Sequence, residues 1–517
     1  MRRKSINQLH AGVVLSYINL GISSIIPMLY TPIMLRMLGQ SEYGLYSLAN
    51  SVIGYLSLLS FGFGSTIIRY ISKYRAQNDK EKVESIVGLF LSIYCLMGIV
   101  VLIVGTTLSF YVEPIFHKGL LQDEIQKIHT LILIMTFNTA ISFPMSVFSA
   151  IITSYERYIF RRLVDMMTTV AAPILNLIAL YMGFASVGMA LASTVLQIVM
   201  IPVNIGYCFH VLKIRPKLKK YKYEFIRELV SFSLYIFMGT IVDMLFWSTD
   251  KMILGMLASS VAVAIYNVGG TFNNIVINLS TSVSSVLTPR ITGMVVKNTP
   301  KDKLTELFIR VGRLQYVVIA LIVSGFAVFG QTFIYLWAGS DYADAYWISI
   351  LTMFPLCIPL IQNTGLSIVI AQNKHKFRSI VYLIVAIINA VTTYLLVPFW
   401  GVIGAAFCSC ISYIIGQGLI MNIYYYRVTG IDIPLFWKNI VRMSYVPCAM
   451  LLAGIILQKY ILLNNWGDFF TAVLVYTVIY CVSMYFGSLN KYEKDLIKKP
   501  ILVVVKKIKE GKTEIYD

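Results

Sequence analysis

Charge is scarce in this chain. Asp, Glu, Lys and Arg make up 13% of its 517 residues, against about a quarter in soluble globular proteins. Acids are the scarcest, 24 against 43 basic residues, so the net charge is +19. So little charge excludes a conventional water-facing globule. The means for metal and redox chemistry are also thin. His10, His117, His129, His210 and His375 show no ligand spacing, and no pair of the seven cysteines makes a CxxC motif. Cys408 and Cys410 are too close for a structural disulfide and lack histidine partners for a metal. All seven cysteines lie in apolar segments and read as small packing residues. No GxxxxGK[ST] run is present, which excludes ATP hydrolysis by a P-loop in this chain. The sequence calls for no cofactor and no metal.

Apolar length is what the chain has in abundance. Residues of the hydrophobic class make up 58% of it, and its mean hydropathy is +0.75. A membrane-crossing helix needs roughly 20 apolar residues, and about fourteen such stretches occur: 9–38, 43–68, 86–110, 129–153, 164–182, 187–211, 229–256, 261–287, 307–336, 345–371, 380–397, 403–425, 439–461 and 469–487. The connections are short, so no soluble catalytic domain fits between them. The first stretch runs on through Pro27 as a full span, and no small-residue cleavage site follows it, so it does not read as a cleavable signal.

Basic residues orient the spans. All but five of the 43 fall in the termini or in every second connection; the exceptions are Arg36, Lys118, Lys127, Lys251 and Lys459. The positive-inside rule then predicts cytoplasmic termini. Because the charge is dispersed over these connections, anionic lipid headgroups are the expected partner, and nucleic acid is not. After the last span, Ile497, Ile501, Val504 and Ile508 recur at helical spacing among lysines. That pattern suits an amphipathic helix on the inner leaflet, or equally a solvated basic tail.

The two halves correspond. Tyr155–Arg161 aligns with Gln372–Arg378, and Val187–Ser193 with Ile403–Ser409, at offsets of 217 and 216 residues. Leu38–Tyr46 (LGQSEYGLY) aligns with Leu257–Tyr266 (LASSVAVAIY) with one inserted residue, and Asn78–Lys82 with Asn298–Lys303. Six spans per half make the repeat parallel, about an axis normal to the membrane, as in some secondary transporters. The expected fold is an all-α polytopic membrane protein. Lobes at 1–212 and 213–428 are followed by two appended helices in 429–487 and a basic tail, 488–517.

Three motifs resemble a known family. They are Leu35–Tyr46 (LRMLGQSEYGLY), Phe61–Gly64 (FGFG) leading to Arg69, and Asp250–Gly255 (DKMILG). In this order and spacing the chain resembles the polysaccharide transporter family of the multidrug/oligosaccharidyl-lipid/polysaccharide superfamily, the O-antigen-type and capsule-type flippases. One departure is Ser60, where the family often carries an acid. The resemblance implies two six-helix lobes around a cavity that opens alternately to either side. It implies a polyisoprenyl-diphosphate-linked oligosaccharide as substrate, in the bacterial cytoplasmic membrane. It also implies neighbouring polymerase or glycosyltransferase machinery.

A sugar-diphosphate headgroup needs a polar route through hydrocarbon. Four groups of residues suggest one. Ser16, Asn19 and Ser23 share a face of span one with Pro27 and Tyr30, and Pro27 and Pro32 suit a bend. Asp243, Trp247 and Asp250 share a face of span seven. Acids within a span usually meet a cavity, a partner or an ion path, so Asp243 and Asp250 are candidates for binding a coupling proton or cation; a structural acid fits the same positions. Asn267, Asn274 and Asn278 recur on span eight, where amides suit sugar hydroxyls or interhelical contacts. Arg36, Lys251, Arg69 and Arg290 stand at span ends, suited to a diphosphate or to lipid phosphates. A drug antiporter of the same superfamily and a membrane polymerase are the alternative functions. The longest outer connection has only Glu113, Asp123 and Glu124 as acids, which disfavours the polymerase.

Overall fold

Long apolar runs must satisfy their backbone polar groups internally, and in a membrane the helix is the simplest way to do so. A computed structural model describes residues 2–219, 221, 223–297, 299–372, 374–458, 460, 463–496 and 498. Among these the chain is helical nearly throughout and has no strand. The first helices are α1 (Arg2–Ser57), α2 (Phe63–Ala76), α3 (Lys80–Phe110), α4 (Val112–Phe116), α5 (Gln122–Ser154), α6 (Tyr158–Tyr181), α7 (Ala185–Gly206) and α8 (Tyr223–Leu257). Then come α9 (Ser260–Val296), α10 (Lys301–Ala338), α11 (Ala345–Ile361), α12 (Asn363–Ala371), α13 (His375–Tyr413), α14 (Met421–Tyr424), α15 (Ile433–Gln458) and α16 (Trp466–Gly487). Every expected span overlaps one of these helices.

Ten helices among the described residues are long and apolar enough to cross a membrane, or eleven if α11 and α12, bent by 46°, form one span. Two of them are far too long for one crossing. Val14–Ala76 and Lys376–Thr429 contain 63 and 54 residues. At about 1.5 Å per residue they run to roughly 95 and 80 Å, against a hydrocarbon core of about 30 Å. Each therefore holds more than one span, and the chain is a multi-pass membrane protein.

The breaks explain the merging. Gly39 (φ 76°, ψ 171°) interrupts α1, and Gly401 (φ 53°, ψ −134°) interrupts α13. Both sit where the sequence predicts a short connection, and both use a positive φ that glycine adopts without steric cost. Pro27 and Pro32 lie inside α1, yet Gly39 is its one residue with non-helical dihedral angles. The expected span 43–68 is not one helix: a 3-10 turn at Leu58–Ser60 leads into Phe61 (φ 48°) and Gly62 (φ 66°), and α2 begins at Phe63. A left-handed phenylalanine costs about 1–2 kcal/mol, so packing sets this break. The amphipathic helix expected between Ile497 and Ile508 lies outside the described residues apart from Lys498.

The chain divides into two compact units. One comprises residues 1–268 and 382–409. Within it α3 packs along α5, and α1 packs against α5 and α6. The connection after α7 is clasped to the start of α3: Lys217 donates its backbone N–H to Glu84 O at 3.0 Å, and its ammonium lies 2.7 Å from Glu84 Oε2. The hydrogen bond to Glu84 holds that ammonium above the usual lysine range.

The other unit comprises residues 269–381 and 410–517. Here α10 packs against α11, α15 and α16. Arg313 of α10 and Glu493, 7% and 1% exposed at the side chain, form a buried pair. Nε–Oε1 is 2.6 Å and Nη2–Oε2 is 2.9 Å, and Nη2 also donates to Ser488 O at 3.1 Å. This fork ties the segment after α16 to α10.

Candidate functional site

The most concentrated polar site in the first unit is centred on Asp250, near the end of α8. Its carboxylate is wholly buried. Tyr266 Oη and Ser409 Oγ donate to Oδ2 at 2.5 and 2.6 Å. Thr393 Oγ1 and Asn389 Nδ2 donate to Oδ1 at 3.2 and 3.4 Å. These donors come from α9 and α13 and are all neutral. Four hydrogen bonds satisfy the oxygens but do not neutralise them, the charge of the neighbouring Lys251 is felt without a direct bond, and a buried charge without a bonded counter-ion is costly. The geometry therefore suits a carboxylate that takes up a proton or a small cation. Three hydroxyls beside it supply oxygens, the atom type hard cations prefer, while Asn389 presents its amide nitrogen. Among the described residues no group of three or more His, Cys, Asp or Glu converges.

A second chain of contacts adjoins it. Lys251 Nζ donates to Asn267 Oδ1 at 2.9 Å, and Asn267 Nδ2 donates to Tyr43 Oη at 2.6 Å and Ser47 Oγ at 3.1 Å. Tyr55 Oη and Thr249 Oγ1 meet at 2.5 Å. Segments of α1, α8, α9 and α13 thus bring several polar contacts together in the first unit.

The first half contains a counterpart. Sixteen residues before Tyr266 stands Asp250; sixteen before Tyr46, its repeat equivalent, stands Tyr30. Ser409 aligns with Ser193, and the offset of 217 carries Asn176 to Thr393. Tyr30 lies beside Asn176, Tyr46 and Tyr43, and the Tyr46 hydroxyl meets Ser193. The two clusters therefore use equivalent positions, with tyrosine replacing the acid in the first. Their completeness differs: Tyr30 Oη and Asn176 Oδ1 have no well-formed hydrogen bond.

Of the residues singled out in the sequence, the structure brings Asp250, Lys251 and Asn267 together. Arg36 on α1 and Arg69 on α2 are exposed in the first unit. Arg290, Asn274 and Asn278 are exposed on the part of α9 in the second unit. Asp243 belongs to α8, and its side chain lies outside the described residues. Ser16 accepts a hydrogen bond from Arg162 Nε at 2.9 Å.

Sequence reading missed Asn389 and Thr393, and it met Ser409 only as a repeat position. It also missed a buried network in the second unit. There Gln315 Nε2 donates to Ser284 Oγ at 2.8 Å and Ser280 Oγ at 3.1 Å, and Asn363 Nδ2 donates to Ser280 Oγ at 2.9 Å. The Tyr46–Tyr266 and Ser193–Ser409 correspondences were the available signal for the Asp250 cluster.

Known proteins share this architecture. The uncharacterized membrane protein EpsK of Bacillus subtilis (strain 168) is 20% identical over 478 residues, spanning 91% of this chain and 93% of that one. The uncharacterized membrane protein MJ1068 of Methanocaldococcus jannaschii is 24% identical over 381 residues, 71% of this chain and 74% of that one. Among solved structures, the lipid II flippase MurJ in an inward closed conformation superposes with a TM-score of 0.73 at 16% identity, covering 94% of this chain and all of that one. An inward-facing multidrug resistance MATE family transporter of the MOP superfamily gives 0.65 at 14% identity, over 82% of this chain and 99% of that one. The two structural likenesses establish a fold in common. The family model for polysaccharide biosynthesis proteins matches residues 9–295, more than half the chain, and the chain belongs to that family.

Proposed function

We propose that this protein is a flippase for a polyisoprenyl-diphosphate-linked oligosaccharide, working by alternating access across the bacterial cytoplasmic membrane. It is a transporter rather than an enzyme on this reading. Membership of the polysaccharide biosynthesis family carries the reading, because a multi-pass chain whose spans are joined by short connections serves such a pathway best by moving its intermediates. The fold likeness to a lipid II flippase supports it.

The residues take roles accordingly. Arg36, Arg69, Lys251 and Arg290 are the cations suited to the diphosphate, and Asn267, Asn274 and Asn278 the amides suited to sugar hydroxyls. Asp250, ringed by neutral donors, is the position for a coupling proton or cation, with Asp243 the second candidate. Both termini are cytoplasmic, and the product is a surface polysaccharide such as a capsule, O-antigen or exopolysaccharide. Membrane lipids surround the protein, and a polymerase or glycosyltransferase works beside it.

Deleting the gene and analysing the membrane lipids tests this. Accumulation of one polyisoprenyl-diphosphate oligosaccharide on the cytoplasmic leaflet is expected. Accumulation of single repeat units on the outer leaflet would point instead to a polymerase. The MATE-like fold favours one competitor, a small-molecule antiporter; unchanged lipid-linked glycans would support it.

A further inference from the structure

Ser41 and Ser260 occupy equivalent places in the two halves, in LGQSEYGLY and LASSVAVAIY. In the first unit they meet. Their Oγ atoms are 3.3 Å apart, and both donate to the same carboxylate oxygen, Glu124 Oε1, at 2.5 Å each. The other oxygen of Glu124 accepts the Leu121 N–H at 3.0 Å, which fixes the carboxylate at the start of α5. In a parallel repeat, equivalent residues touch only near the axis that relates the halves.

Main chain reinforces the junction. A Cβ on Gly44 would lie 1.8 Å from Ser260 O, and one on Gly119 would lie 2.3 Å from Gly255 O. No side chain fits at either point, so each glycine lets an element of the first half touch backbone of the second. Glu42, next to Ser41, is held by Lys127 and Ser186. The contacts lie at the connections that the positive-inside rule assigns to the outer face.

We infer that Ser41, Glu124 and Ser260, with Gly44 and Gly119 beneath them, form the latch that closes the outer end of the transport path. Resting on the alternating-access reading, the inference adds the residues that must part. Outward opening breaks the Ser260 hydrogen bond to Glu124 and separates Ser260 from Ser41 and Gly44, while the Ser41–Glu124 bond stays within the first half; closure remakes the broken contacts. The bonds are charge-assisted and therefore strong, while serine and glycine leave no bulk to hinder separation.

Accessibility tests the latch without any substrate. Ser260→Cys is labelled on intact cells with a membrane-impermeant maleimide and quantified on its own peptide by mass spectrometry. Labelling is expected to be low, and to rise about fivefold or more when Gly44→Val is added, because valine holds the latch open. Equal labelling in both backgrounds would overturn the latch. Where Gly44→Val fails to accumulate, Glu124→Gln replaces it, with a rise of about twofold or more expected and no rise counting against the latch.

A Ser41→Cys/Ser260→Cys protein supplies the functional arm. Oxidation should cross-link it and stop translocation of polyisoprenyl-diphosphate oligosaccharide in proteoliposomes, and reductant should restore it. A cross-linked protein that translocates at the uncross-linked rate would refute the latch but leave the flippase reading standing. Wild-type protein that translocates nothing would refute the flippase reading, while the labelling result would still decide whether the outer end is latched.

Discussion

The Asp250 cluster and the Tyr30 cluster are two versions of one design. Each places a tyrosine and a serine at equivalent positions, Tyr266 and Ser409 in one, Tyr46 and Ser193 in the other. In the second half the acid collects four donors. In the first half a phenol stands in its place, and Tyr30 Oη and Asn176 Oδ1 remain without well-formed hydrogen bonds. One exchange, carboxyl for phenol, gives one cluster a group that can bind a proton or cation and gives the other a neutral phenol. On the proposed coupling role of Asp250, that asymmetry alone would confine coupling to one half.

Substitutions can break this comparison. The largest effect is expected at the acid. Asp250→Asn preserves shape and two hydrogen-bonding positions but removes the charge, so translocation should fall about tenfold or more at normal membrane abundance. Tyr30→Asn, the same change of site in the other half, should leave it within about threefold. Translocation assays normalised to protein in the membrane compare them, and equal losses would erase the distinction.

A smaller effect is expected at the donors. Tyr266→Phe removes an O–H donor to a buried carboxylate, an interaction worth about 1.5–3 kcal/mol, and should lower translocation about tenfold. Tyr30→Phe removes a hydroxyl whose contact with Asn176 is not a well-formed hydrogen bond and should change it less than about twofold. A Tyr30→Phe protein as impaired as Tyr266→Phe would show that the first cluster has a function of its own.

Smallest is the serine pair. Ser409→Ala takes a second donor from Asp250 Oδ2, and a loss of about threefold is expected. Ser193 donates to Met189 O of its own helix and meets a Tyr46 hydroxyl that also has Asn50 beside it, so Ser193→Ala should be close to neutral. The same normalised assay ranks the two. Stability distinguishes the units in another way. Glu493→Ala leaves Arg313 buried without its partner, which costs about 3–5 kcal/mol, and should lower the thermal midpoint in detergent more than either serine change.

The helical architecture was legible because apolar length and alternating basic connections report the solvent, which is lipid. Asp250 and Asn267 stood out for the same reason, because polar side chains within spans are expensive, and Lys251 stood out as a cation at a span end. Their partners did not. Thr393 and Asn389 lie about 140 residues from Asp250 in the chain, and nothing in a threonine or asparagine on a span reveals which helix it faces. Arg36, Arg69 and Arg290 were chosen by charge at span ends, a property that lipid phosphates and substrates satisfy equally. The break at Phe61 and Gly62 was hidden because the apolar pattern continues through it, while a 3-10 turn and a left-handed φ at both residues end the helix there. Glu124 was noted only as one of a few acids in a connection; its meeting with Ser41 and Ser260 required the fold.

The most direct test of the account reconstitutes wild-type and Asp250→Asn protein in proteoliposomes holding a polyisoprenyl-diphosphate oligosaccharide. Exposure of the sugar to an external glycosidase is followed under an imposed proton or sodium gradient. The account predicts gradient-dependent exposure with wild-type protein and little with Asp250→Asn. Equal, gradient-independent exposure with both would contradict the coupling assigned to Asp250, and no protein-dependent exposure would contradict the flippase itself.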